Sequence, residues 1–163
     1  LKSMLALLFM FGVQLSQANL SALNSAFISD SILTSSNALV ANSSNKKQLK
    51  AMAEAISHAQ NKAIRKDTTQ QDILNLFNWY TDDFVYEHPK YGGAYTREKL
   101  LNNSLRFVKE GRYQLVQDRY RITNMIIGLN AVVLEREKLS DGVHHMTLFE
   151  FEGNKVKRIK EYW

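Results

Sequence analysis

The chain has 163 residues, of which 45% are apolar and 23% charged; this is the composition of one globular domain with a single core, not of a disordered chain. Its formal charge of +5 is spread along the sequence without a long Lys/Arg run, so nothing marks a nucleic-acid surface and no nucleic-acid partner is expected. The absence of cysteine excludes disulfides, Cys-ligated zinc, iron–sulfur clusters and thiol nucleophiles.

At the start of the chain, Lys2 precedes the apolar run from Met4 to Val13, followed by Ser16-Gln17-Ala18. That order of a charge, an apolar stretch and small residues is the pattern of a secretory signal. The run is too short for a membrane span, which needs about 20 apolar residues. The reading is therefore a signal peptide over 1–18, cut after Ala18. The mature protein is expected to be periplasmic or secreted, with no stable membrane insertion after cleavage. Residues 19–45 are rich in Ser and Asn and are read as a low-complexity arm with no assigned structure.

From Lys46 the pattern becomes helical. Leu49, Met52, Ala53, Ile56, Ala63 and Ile64 share one face of a helix over 46–66, and His58 lies off that face. Thr69 and Asp72 open a second helix, with Ile73, Leu76, Phe77 and Tyr80 on its buried side and an end near Thr81. A short strand over 84–88 follows, closed by Pro89, which lacks a ladder donor. Tyr91-Gly92-Gly93 makes a turn. Thr96 caps a third helix, Glu98 sits in its first turn, and Gly111 ends it.

Beyond Gly111 the periodicity is that of strands. Residues 113–127, 131–139, 143–152 and 155–163 alternate, and the breaks between them hold Gly128, Asp141-Gly142 and Gly153-Asn154. Tight turns impose antiparallel pairing. Helices and one short strand followed by a four-strand meander predict an α+β domain over 46–163, its helices on one face of a bent sheet.

The stretches YTDDFVYEHP and FEFEGNKVKRIKEYW, in this order around a Thr-capped helix, resemble the nuclear transport factor 2-like superfamily, and within it the SnoaL-like group, over about residues 68–163. The resemblance implies a cone: a strongly curved, mostly antiparallel sheet wrapped around about three helices, with a pocket at one end. It also implies a homodimer formed through the sheet. The superfamily holds isomerases, epoxide hydrolases, cyclases, dehydratases and binding domains, so the site has to choose among them.

Strand alternation nominates the inward residues. In the last strand Ile159, Glu161 and Trp163 form the more apolar face and are placed inside, with Val156, Arg158, Lys160 and Tyr162 outside. Arg136 matches an inward arginine of the epoxide-hydrolase-like members, but Lys138 stands where their second acid would be, which argues against that reaction. An inward Arg136 is placed to pair with Glu161. His145 shares its face with Val143, Thr147, Phe149 and Phe151 and points inward; Phe84, Tyr86 and His88 do so on the short strand. Asp82 and Asp83 are assigned to a helix-to-strand turn. Tyr91 and Tyr95 are placed at the rim, and Trp79 nearby.

The candidate catalytic set is thus His88, His145 and Glu161, and the candidate ligand-binding set Trp79, Tyr86, Tyr91, Tyr95, Arg136 and Trp163. Adjacent His144 and His145 point to opposite faces and cannot share a metal, so no metal site and no cofactor are assigned. The first functional expectation is an exported domain that binds a small apolar or aromatic molecule in the cone. The alternatives are a cofactor-independent isomerase, dehydratase or cyclase using a His/acid pair, and a dimeric protein-interaction module.

Overall fold

The computed structural model describes residues 42–162, the side chain of Tyr91 excepted. The expected signal over 1–18, most of the arm and Trp163 lie outside the described residues. Helix α1 covers 42–63, so it starts inside the expected arm and stops three residues short of its expected end. It stops because Arg65 leaves the helix to bridge Leu115, and Lys66 donates its N–H to the Leu115 carbonyl at 2.7 Å. Leu49, Met52, Ala53, Ile56 and Ala63 are its buried stripe, at the spacing of one helical face.

Helix α2 is Gln70–Phe77. The Thr69 N–H donates to Asp72 Oδ2 at 2.8 Å and the Asp72 N–H donates to Thr69 Oγ1 at 3.2 Å, a reciprocal capping box. The helix is shorter than expected: Tyr80 does not extend it but opens strand β1, Tyr80–His88. A 3-10 turn over Pro89–Tyr91 leads to β2, Gly93–Thr96, a strand missing from the sequence reading, which has a turn over 91–93 and then the helix cap. Thr96 then caps α3, Arg97–Lys109. This helix ends in a Schellman closure: Arg112 donates to the Phe107 carbonyl and Gly111 to that of Val108. Gly111 takes a φ of 62° there, which a side chain would strain.

Strands β3 (Tyr120–Ile127), β4 (Ala131–Lys138), β5 (His144–Glu152) and β6 (Lys155–Tyr162) form the expected antiparallel meander. The stretch 113–119 is not part of β3 but a loop. Asn61 sets this boundary: its Oδ1 accepts from the N–H groups of Arg119 and Tyr120, and its Nδ2 donates to the Tyr120 carbonyl. The sheet is open, in the order β2-β1-β6-β5-β4-β3, and β1 runs parallel to β6. Phe84, Val132, Leu134, Phe149, Val156 and Ile159 face the helices and meet Ile56 and Ile73 in the core.

Two register shifts correct the expected faces. Opposite β5, Arg158 pairs with Glu150 but Val156 pairs with Phe151, so Lys157 is an extra residue. Val156 therefore turns inward and is fully buried, although simple alternation puts it outside. In β1, Tyr80 pairs with Val156 and Val85 with Arg158. The additional residues include Asp82 and Asp83, which are exposed on a bulged strand and are not in a turn between helix and strand. Tyr80 and Phe84 share the inner face, and the bulge shortens the strand between them so that their rings stack, centroids 4.1 Å apart and 6° from parallel. Val143, expected on the inner face, lies before β5 and is exposed.

Candidate functional site

Between the inner face of the sheet and the helices lies a cavity of about 590 Å³. Most of its wall is apolar, from Ala63, Leu76, Phe77, Phe84, Leu100 and Ile159. The polar groups enter from separate elements: Gln60 from α1, Tyr80, Tyr86 and His88 from β1, Tyr95 from β2, Asn103 and Ser104 from α3, Arg136 from β4 and Glu161 from β6. Arg119 and Tyr120 enter from the junction that Asn61 holds. An apolar chamber of this size with a few convergent polar groups is the usual form of a small-molecule site.

A chain of hydrogen bonds occupies the buried end. Arg136, only 3% exposed, donates from Nη2 to both oxygens of Glu161, at 2.7 and 2.9 Å. Thr147, between them on β5, donates its hydroxyl to Glu161 Oε2 at 2.7 Å. The second terminal nitrogen of Arg136 donates to Gln60 Oε1 at 3.1 Å, and Gln60 Nε2 donates to the Tyr80 hydroxyl at 3.4 Å. The Tyr120 ring covers the guanidinium, 4.6 Å from ring centre to carbon. The register explains the meeting: Arg136 lies opposite His145 and Thr147 opposite Glu161, so all four side chains emerge on one face of three adjacent strands.

This end is electrostatically specific. Charges are tolerated away from water only when paired and hydrogen-bonded, and Arg136 and Glu161 satisfy that rule together. Burial lowers the His145 pKa below the ordinary histidine value, and the positive charge of Arg136 lowers it further against the pull of Glu161. His145 is therefore neutral near pH 7. Its Nε2 stands 4.0 Å from Glu161 Oε2, a distance of charge interaction and not of hydrogen bonding. Burial is also the main cause that raises the Tyr80 and Tyr86 phenols above their ordinary range, so both keep their protons.

Of the residues nominated from the sequence, His88, Glu161, Tyr86, Tyr95 and Arg136 line the cavity. Tyr86 and Tyr95 face each other across the β1–β2 pair, with ring centroids 6.3 Å apart. His145 is buried behind Tyr120, against whose ring it packs edge-on at 4.8 Å. Trp79 packs against the core and is not among the residues of the cavity wall; it sits in the α2–β1 connection, where its carbonyl accepts from the Val156 N–H. Trp163 and the Tyr91 side chain lie outside the described residues. Lys138 is paired with Asp141 in the turn after β4, outside this cavity.

The sequence reading misses Gln60, Tyr80, Asn103, Ser104, Tyr113, Arg119 and Tyr120 as wall residues. Gln60 is one polar position on a helix whose apolar stripe attracts attention. Tyr80 follows the helical spacing of Ile73, Leu76 and Phe77, and only the end of α2 at Phe77 releases it to the sheet.

No family model matches the chain, and no curated protein does. Solved structures do. A nuclear transport factor 2-like protein of unknown function from Burkholderia xenovorans LB400 is 16% identical, with a TM-score of 0.52 over 72% of this chain and 84% of its own. One from Anabaena variabilis ATCC 29413 is 18% identical, with a TM-score of 0.52 over 71% and 88%. A third, from Kribbella flavida DSM 17836 and named as a candidate ketosteroid isomerase, is 14% identical, with a TM-score of 0.50 over 73% and 79%. The chain has the nuclear transport factor 2-like fold, as the sequence resemblance implies.

Proposed function

We propose that this protein is an exported, SnoaL-like binding domain that holds a small apolar or aromatic molecule in the cavity between sheet and helices. One observation carries the reading: the chamber is open, yet the carboxylate at its buried end already accepts from Arg136 and Thr147. Both oxygens of this carboxylate are thus already taken up by donors of the protein itself. An isomerase, dehydratase or cyclase would need it paired with a histidine around the void, and His145 stands 4.0 Å from it. The arrangement therefore favours holding a molecule over transferring its protons.

The test is titration of the purified protein with N-phenyl-1-naphthylamine, whose fluorescence rises in apolar surroundings, beside native mass spectrometry of the protein as isolated. Saturable binding of one probe per chain, displaced by whatever co-purifies, is the expected result. A signal that rises without saturation overturns the reading. Export is checked by N-terminal sequencing of protein from fractionated cells, with Asn19 expected as the first residue.

The outer face of the sheet supports a homodimer. Ile126, Val133 and Leu148 lie in one cross-strand row, with Met146 opposite Tyr162 beside it. Ile126 is 66% exposed and Met146 40%. An apolar patch of this kind on a sheet marks a contact surface. Sedimentation velocity on wild type and Ile126→Glu is the check, and a wild-type monomer at micromolar concentration would remove the proposal.

A further inference from the structure

The polarity of the buried hydrogen-bond chain says what the cavity's occupant must offer. Arginine can only donate. The Gln60 oxygen must therefore face Arg136 Nη1, and the Gln60 nitrogen must face Tyr80. That nitrogen also only donates, so the Tyr80 oxygen is the acceptor and its own proton is left to point elsewhere. The bond from Gln60 is the one hydrogen bond of the Tyr80 hydroxyl among the described residues. Arg136 Nε is likewise buried without an acceptor among the described residues. The acceptors at this end are engaged: Glu161 by Arg136 and Thr147, and the Gln60 oxygen by Arg136.

The result is an imbalance. Tyr80 and Arg136 are 4% and 3% exposed, both line the cavity, and each keeps an N–H or O–H that burial makes costly to leave unmade. The Tyr80 ring cannot swing away to find water, since it stacks on Phe84 and meets Phe77 edge-on. Around these donors the wall is apolar: Leu76, Phe77, Phe84 and Ile159.

We infer that the occupant carries a carbonyl oxygen on an apolar or aromatic body, and that this oxygen takes the Tyr80 hydroxyl proton, with Arg136 Nε–H as the second donor. This rests on the cavity being a ligand site. A molecule that brings only donors satisfies neither Tyr80 nor Arg136, and a plain hydrocarbon likewise leaves both donors unmade.

The test uses three naphthalenes of one size as competitors of N-phenyl-1-naphthylamine: 2-acetylnaphthalene with a carbonyl, 2-naphthoate with a carboxylate, and 2-ethylnaphthalene with neither. The ketone is expected to displace the probe about 5-fold more tightly than the hydrocarbon, the size of one neutral hydrogen bond. Its carbonyl carbon-13 resonance should move downfield on binding. Tyr80→Phe keeps the ring stack and removes the proton, so it should erase the preference of ketone over hydrocarbon. Gln60→Glu is the second variant: its carboxylate draws the Tyr80 proton toward α1, so it should erase the same preference with the hydroxyl still present. Equal displacement by ketone and hydrocarbon, or a preference untouched by both variants, overturns the inference. Should 2-naphthoate bind best and lose its advantage in Tyr80→Phe, the acceptor assignment stands and its source is a carboxylate; an advantage that survives the variant overturns it. Failure of the naphthylamine probe itself to bind saturably overturns the ligand-site reading instead.

Discussion

The two faces of the same strands treat charge in opposite ways. On the inner face, Arg136 and Glu161 form one ion pair at 2.7 Å, and both side chains are almost wholly buried. On the outer face, Arg158 reaches Glu87 and Glu150, each at 3.4 Å, Lys160 reaches Glu87 at 3.8 Å, and Lys157 reaches Glu152 at 2.6 Å, all with solvent access. The outer face has more ion pairs, yet each is weakened by water, salt and the entropy of long side chains. The inner pair is almost wholly buried, so a lost partner leaves a desolvated charge behind. Counting ion pairs therefore misjudges this sheet, because one inner pair is more consequential than several outer ones.

The comparison is broken most severely by removing one inner partner. Arg136→Ala leaves the Glu161 carboxylate buried without its cation, and it is expected to lower the unfolding free energy by about 3–5 kcal/mol. Urea denaturation followed by circular dichroism reads this. Replacing both partners, Arg136→Met with Glu161→Leu, should recover most of the loss, since an apolar pair of similar volume needs no hydration.

Next in size is the pH dependence carried by His145. Its folded pKa lies below the ordinary histidine value of 6.5, chiefly because burial disfavours the charged ring, so the unfolded chain binds the proton more readily. Stability from this residue is full above the unfolded pKa and falls as pH drops below about 6.5, with a slope of at most about 1.4 kcal/mol per pH unit. Denaturation midpoints from pH 7.5 to 5 should show the loss in wild type and a flatter profile in His145→Gln. An unchanged slope would mean that other groups carry it.

The smallest effect is expected outside. Arg158→Ala removes contacts to both Glu87 and Glu150, yet it should cost less than about 1 kcal/mol, and less still in high salt. A larger loss at Arg158 than at Arg136 would reverse the ranking of the two faces.

Much of this layout was legible from residue spacing. Thr69 with Asp72, Thr96 and Gly111 mark helix ends by chemistry that acts within one turn. Alternation along 143–152 put Val143, His145, Thr147, Phe149 and Phe151 on the inner face; the last four are buried, while Val143 lies before β5 and is exposed. The pairing of Arg136 with Glu161 was also anticipated, for Glu161 from alternation and for Arg136 from the family resemblance. Val156 was misplaced because the extra residue Lys157 changes the phase of β6. Tyr80 was misread because its spacing suits a helix face equally well, and only the end of α2 at Phe77 gives it to the sheet.

The amino-acid order alone determined the class of fold, the sequence of elements and the inward faces of the regular strands, because caps, turns and side-chain periodicity are local properties of the backbone. Only the tertiary structure decided that Gln60, Tyr80, Arg136, Thr147 and Glu161 form one chain of hydrogen bonds. Their meeting depends on strand register, on two bulges and on how α1 lies against the sheet. Those are relations between elements set by packing, and no spacing within a single element encodes them.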